Sequence, residues 1–112
     1  AEDVESNFIY LQELLRQTNA TLIWSQNGLE AVKQVETNPK IDLVLMDILM
    51  PEMDGYQASK KIKELRNNLP IIAQTAYSLE GGRDKEELIN FDDYLIKPIW
   101  SPQLLSTISK HI

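Results

Sequence analysis

Ile41-Asp42-Leu43-Val44-Leu45-Met46-Asp47 is a nearly continuous apolar run closed by a carboxylate. A short run of this kind reads as a β-strand over 41–46, buried on both faces, with Asp47 at its end. Strands buried on both faces belong to parallel sheets covered by helices on each side. On the N-terminal side, residues 6–17 have helical spacing, with Ser6 as cap and Phe8, Leu11, Leu14 and Leu15 as the apolar stripe. Residues 20–24 read as a strand, Gln26-Asn27-Gly28 as a turn, and residues 29–37 as a helix that buries Ala31, Val32 and Val35. On the C-terminal side, residues 56–67 read as a helix buried through Ala58, Ile62 and Leu65, and Pro70 to Thr75 as a strand. Residues 79–89 make a marginal helix because of Gly81-Gly82. Residues 93–96 read as the last strand, and residues 102–112 as a helix that buries Leu104, Leu105 and Ile108. Strands separated by helices imply right-handed βα units and an open, doubly wound α/β sheet. In such sheets chemistry lies beyond the carboxyl ends of the strands.

Composition narrows the function. The 112 residues suit one domain, and 43% hydrophobic with 25% charged content excludes a disordered or collagenous chain. No apolar run reaches the ~20 residues of a membrane helix. Cysteine is absent, which removes thiol catalysis and Cys-based metal sites. His111 is the only histidine, so neither a Ser-His-Asp triad nor a multi-histidine metal site is expected. A net charge of −6 gives no general help in binding nucleic acid or anionic lipid. The expected ion is a cation.

The strand-end rule selects Glu2, Asp3, Asp47, Thr75 and Lys97. Each alone has a bland reading: a helix cap, a turn residue, a solvated lysine, a structural threonine. Together they describe something narrower. Carboxylates crowded into one crevice repel one another, and a divalent cation with oxygen preference relieves the repulsion. A lysine and a threonine hydroxyl beside them can hold an anionic oxygen. Carboxylate, cation, lysine and hydroxyl are the parts of a phosphoryl-transfer site, with a carboxylate as nucleophile.

Four segments in order resemble the receiver domain of two-component response regulators: Glu2-Asp3-Val4-Glu5-Ser6-Asn7, Leu45 to Gly55 with Asp47-Ile48-Leu49-Met50-Pro51, Ile72-Ala73-Gln74-Thr75-Ala76, and Asp92-Asp93-Tyr94-Leu95-Ile96-Lys97-Pro98. The resemblance implies a flavodoxin-like parallel sheet of order 2-1-3-4-5. It implies that Asp47 takes a phosphoryl group from a phosphohistidine on a histidine kinase or histidine phosphotransfer domain. Asp3, Asp47 and the carbonyl of Leu49 would ligate Mg²⁺, with Glu2 acting mostly through metal-bound water. Lys97 would pair with a phosphoryl oxygen, Thr75 would swing toward it, and Tyr94 would follow by changing rotamer, altering the 79–112 face. Lys97-Pro98 would be cis. The domain would catalyse its own phosphorylation and dephosphorylation without being a turnover enzyme, in the cytoplasm, with no contact of its own to nucleic acid or membrane. The Ala1-Glu2-Asp3 opening and the Thr75-Ala76-Tyr77 and Asp93-Tyr94-Leu95 segments lean toward receivers of hybrid sensor histidine kinases; a separate regulator is the alternative. Leu49 and Tyr77 depart from the common pattern beside the site, and an apolar and a bulky side chain there predict slow loss of phosphate.

Three rivals differ in their requirements. A haloacid-dehalogenase-like phosphatase wants a second Asp where Leu49 stands. A flavodoxin-like cofactor binder wants a Ser/Thr/Gly-rich phosphate loop, which is not visible. A degenerate receiver would serve only as a protein-interaction module. The receiver reading also carries a deficit. Only four strands are visible where the family has five, and the first, at the centre of the sheet, should end at Ala1. Residues 1–112 are thus expected to be a single receiver domain truncated at its N-terminus, with an apolar strand of ~5–6 residues upstream.

Overall fold

The computed structural model describes residues 1–75 and 90–112. The expected helix over 79–89, and Tyr77, lie outside the described residues. In chain order the elements are α1 (Glu5–Leu15), a 3-10 turn (Arg16–Thr18), α2 (Gly28–Thr37), β1 (Val44–Asp47), α3 (Gly55–Leu65), β2 (Ile71–Thr75), β3 (Asp93–Ile96) and α4 (Ser101–His111). The three described strands are parallel, in the order β1-β2-β3. This is the doubly wound α/β architecture expected, with three parallel strands among the described residues.

Strand alternation divides the core into two layers. Val44, Met46 and Ile71 pack with Ala31 and Val35 of α2 and Ala58 and Ile62 of α3. Ile72 and Leu95 pack with Leu11 and Leu15 of α1 and Leu104 of α4. Helix starts follow local chemistry. Asn27 accepts from the Glu30 N–H at 2.8 Å to cap α2. Asp54 and Gln57 form a reciprocal capping box on α3.

Several expectations are corrected. Residues 20–24 form no strand; the Glu2 N–H bonds to the Ser25 carbonyl at 2.9 Å, one residue past the stretch. A ladder needs a succession of such bonds to a partner strand. Strand β1 begins at Val44 rather than residue 41, because its ladder with β2 starts where Val44 N–H meets the Pro70 carbonyl. Ser6 does not cap α1; it lies inside the helix, and the cap position is Val4. Leu65 and Leu105 are exposed by 47% and 38%, so each lies off the buried face of its helix. Ser59 on α3, Leu69 just after it and Thr107 on α4 are buried instead.

On α3, Lys60 and Lys61 are exposed, whereas Lys63 is partly buried. Its ammonium donates to the Asn67 and Leu69 carbonyls and to Asp92 Oδ2 at 2.7 Å, tying the end of α3 to the start of β3. Asp92 Oδ2 also accepts from the Ile71 N–H at 2.8 Å. Partial burial pushes the Asp92 carboxyl up, but the Lys63 and Ile71 hydrogen bonds outweigh it and the net shift is downward.

Two predictions follow from this packing. A Cβ at Gly28 would overlap the Met53 carbonyl oxygen, which the Gly28 N–H already holds at 3.1 Å. Gly28→Ala is expected to lower stability by about 1–3 kcal/mol in urea unfolding. Asp92→Asn is expected to cost about 1 kcal/mol at pH 7, the value of a charged hydrogen bond reduced by exposure. A carboxyl with a lowered folded pKa stabilises above its unfolded pKa and loses that contribution as pH falls through the folded value. The melting temperatures of wild type and Asp92→Asn should therefore converge below about pH 4.

Candidate functional site

Parallel strands end at one edge, and the register decides what meets there. Asp47 pairs with Gln74, and Thr75 with Ile96, so Asp47, Thr75 and Lys97 stand at nearly one level. The Lys97 N–H donates to the Thr75 carbonyl at 2.7 Å, and the Ile48 N–H to the Gln74 carbonyl at 3.3 Å. The Lys97-Pro98 peptide is cis, as expected. Lys97 Nζ lies 3.1 Å from Asp47 Oδ2 and 3.6 Å from Glu2 Oε2.

Glu2, Asp3 and Asp47 complete the cluster, each with a carboxylate oxygen within 4.8 Å of the others. Glu2 and Asp47 are buried and Asp3 is exposed. Glu2 Oε1 accepts from the Val4 N–H and from Asn7 Nδ2, both at 3.2 Å. Glu2 Oε2 is buried and has no hydrogen-bond partner among the described residues. A buried carboxylate oxygen in that condition, beside two further carboxylates, suits a hard divalent cation or the water bound to one.

Ala1 sits between the two segments beside it. Its nitrogen donates to the Leu45 carbonyl at 2.6 Å, and its carbonyl accepts from the Asp47 N–H at 3.0 Å.

The loop after β1 forms the rim. The Gly55 N–H donates to the Ile48 carbonyl at 2.8 Å, and a Cβ at Gly55 would stand 2.6 Å from the Asp47 carbonyl. Glu52 holds a left-handed backbone, φ 69°, which lets the Met53 N–H reach the Pro51 carbonyl at 2.7 Å. Met50 and Met53 pack from this loop against the core layer that contains Met46. The Leu49 side chain is 61% exposed.

The structure thus brings together Glu2, Asp3, Asp47 and Lys97 and buries Thr75 at the adjoining strand end. Tyr94 stands apart, 36% exposed on β3. The sequence reading gave Trp24 and Asn7 no part in this cluster, yet both bond to Glu2. Trp24 carried no signal at the level of pattern, because it lies 22 residues from its partner. Asn7 stood inside the quoted Glu2-to-Asn7 segment, and its place five residues after Glu2 was the available clue.

Comparison with known proteins agrees with this geometry. Residues 1–109 match the family model described as response regulator receiver domain. The chain is 35% identical over 116 residues to sensor histidine kinase GacS of Pseudomonas protegens, covering 97% of this chain but only 12% of that protein. It is 33% identical to the polar-differentiation response regulator DivK of Brucella anthropi, covering 99% of this chain and 91% of the relative. Among solved structures, the receiver domain of sensor histidine kinase PA1611 from Pseudomonas aeruginosa superposes with a TM-score of 0.87 at 30% identity, covering 99% of this chain and 92% of that one. That structure holds a magnesium ion in its active-site cleft. With a strand-end acidic cluster, a facing lysine and a family match over nearly its whole length, the chain belongs to the response regulator receiver domains of two-component signalling.

Proposed function

We propose that this domain accepts a phosphoryl group on Asp47 in a phosphorelay. One observation carries the reading: Asp47 shares a cluster of carboxylate oxygens with Glu2 and Asp3 while Lys97 Nζ stands 3.1 Å from its Oδ2. Asp3, Asp47 and the Leu49 carbonyl would hold Mg²⁺, with Glu2 reaching it through water. The ion supplies neutralisation of the charge that builds on the transferring phosphoryl group.

Asp47 is the nucleophile. Its oxygen forms the new P–O bond as the P–N bond of a partner phosphohistidine breaks, and the electron pair returns to the imidazole nitrogen. Lys97 moves its charge from the Asp47 carboxylate to a phosphoryl oxygen. Thr75 gives that group a hydroxyl hydrogen bond, and Tyr94 reports the change at the 79–112 face. The donor is a histidine kinase or a histidine phosphotransfer domain, met in the cytoplasm, and this domain itself contacts neither nucleic acid nor membrane. Among the described residues no helix is long and apolar enough to cross a membrane.

The GacS match supports a receiver within a hybrid sensor kinase. The DivK match, which spans 91% of that relative, supports a second reading as a separate regulator. The backbone bonds of Ala1 to Leu45 and Asp47 of β1 support a further element, an apolar strand that ends at Ala1.

Incubation with acetyl phosphate and Mg²⁺ is expected to add the mass of one phosphate, and Asp47→Ala to abolish the gain. A wild type without the gain defeats the reading. Glu2→Gln is expected to weaken Mg²⁺ binding about 10-fold or more by calorimetry. Leu49→Asn and Tyr77→Ala are expected to shorten the lifetime of the acyl phosphate, because the first offers an attacking water a polar partner and the second removes bulk; unchanged lifetimes in both would remove that explanation.

A further inference from the structure

Glu2 is gripped from several sides before any ion is considered. Its N–H donates to the Ser25 carbonyl at 2.9 Å. Its carbonyl accepts from the indole Nε1 of Trp24 at 2.7 Å. Its Oε1 is taken by Val4 and Asn7, which leaves Oε2 for the cluster. The Trp24 ring is itself fixed by a near-parallel stack on Phe8 of α1, with centroids 4.8 Å apart and planes 5° from parallel.

The acceptor of the indole is the carbonyl of the peptide that joins Glu2 to Asp3. Turning that peptide would move both carboxylates relative to Asp47. We infer that Trp24 is a positioning residue for the cation site, its indole N–H locking the Glu2-Asp3 peptide so that the carboxylates converge on Asp47. The inference rests on the reading of Glu2, Asp3 and Asp47 as a Mg²⁺ site and assigns the orientation of two of them to a side chain that touches neither ion nor phosphate. Partners in this outer position set the affinity of a metal site by fixing its ligands in advance. Trp24 then has a second property. Its N–H bonds to the peptide that joins two ligands, so its emission should respond when the ion binds.

Calorimetric Mg²⁺ titrations of wild type, Trp24→Phe and Trp24→Leu test this, each chain first shown to be folded by circular dichroism. Trp24→Phe keeps a ring against Phe8 and removes only the donor. Both variants are expected to bind Mg²⁺ about 10-fold more weakly than wild type. In a Trp100→Phe chain, where Trp24 is the single indole, Mg²⁺ is expected to shift the emission with a midpoint equal to the calorimetric Kd. Trp24→Phe binding as tightly as wild type while Trp24→Leu binds weakly would assign the effect to ring packing and overturn the inference. So would an emission that stays constant while calorimetry records binding. A wild type that binds no Mg²⁺ would overturn the metal reading itself, and the inference with it.

Discussion

The register of three parallel strands is the constraint on which the rest depends. Val44 to Asp47 pair with Ile71 to Gln74, and Ile72 to Thr75 with Asp93 to Ile96. The strands carry apolar side chains toward both helix layers: Met46 and Ile71 toward α2 and α3, Ile72 and Leu95 toward α1 and α4. A slip of one residue would exchange the two sets and push each into the wrong layer, so packing enforces the register strongly. The same register places Asp47, Thr75 and Lys97 at one edge. The energy that holds the site in place therefore comes largely from the hydrophobic core, with little asked of the polar groups themselves.

At that edge, charge is arranged for change rather than for stability. Three carboxylates share a small space, and one ammonium faces two of them at 3.1 and 3.6 Å. Like charges so close are unfavourable unless a cation joins them. Removing Lys97 from that arrangement would leave buried Glu2 and Asp47 uncompensated, which costs more than an exposed ion pair ever returns. The surroundings are closely packed. Gly28 and Gly55 allow backbone approaches that a Cβ would block, and Asp54 with Gln57 closes the rim loop onto α3.

Much of this was legible in the chain. The 93–96 strand and the helices over 28–37 and 101–111 fell within a residue of their expected bounds, because apolar periodicity and turn residues are local signals. Asp47, Thr75 and Lys97 were legible because each ends a recognisable strand. The 20–24 strand was misread for a physical reason: an apolar, β-branched run shows capacity for a ladder, and the ladder itself requires a neighbour along its length. Leu65 and Leu105 were misplaced because hydrophobicity was taken for burial, and each lies off the buried face of its helix.

Residue order was thus enough for fold class and for most of the described elements, since both follow from patterns a few residues long. Which groups support those residues was settled by contacts between distant parts of the chain. Lys63 meets Asp92 across 29 positions, Trp24 meets Glu2 across 22, and Lys97 meets Asp47 across 50. No local period encodes such meetings. They arise only when strand register and helix packing bring separate segments within hydrogen-bond reach.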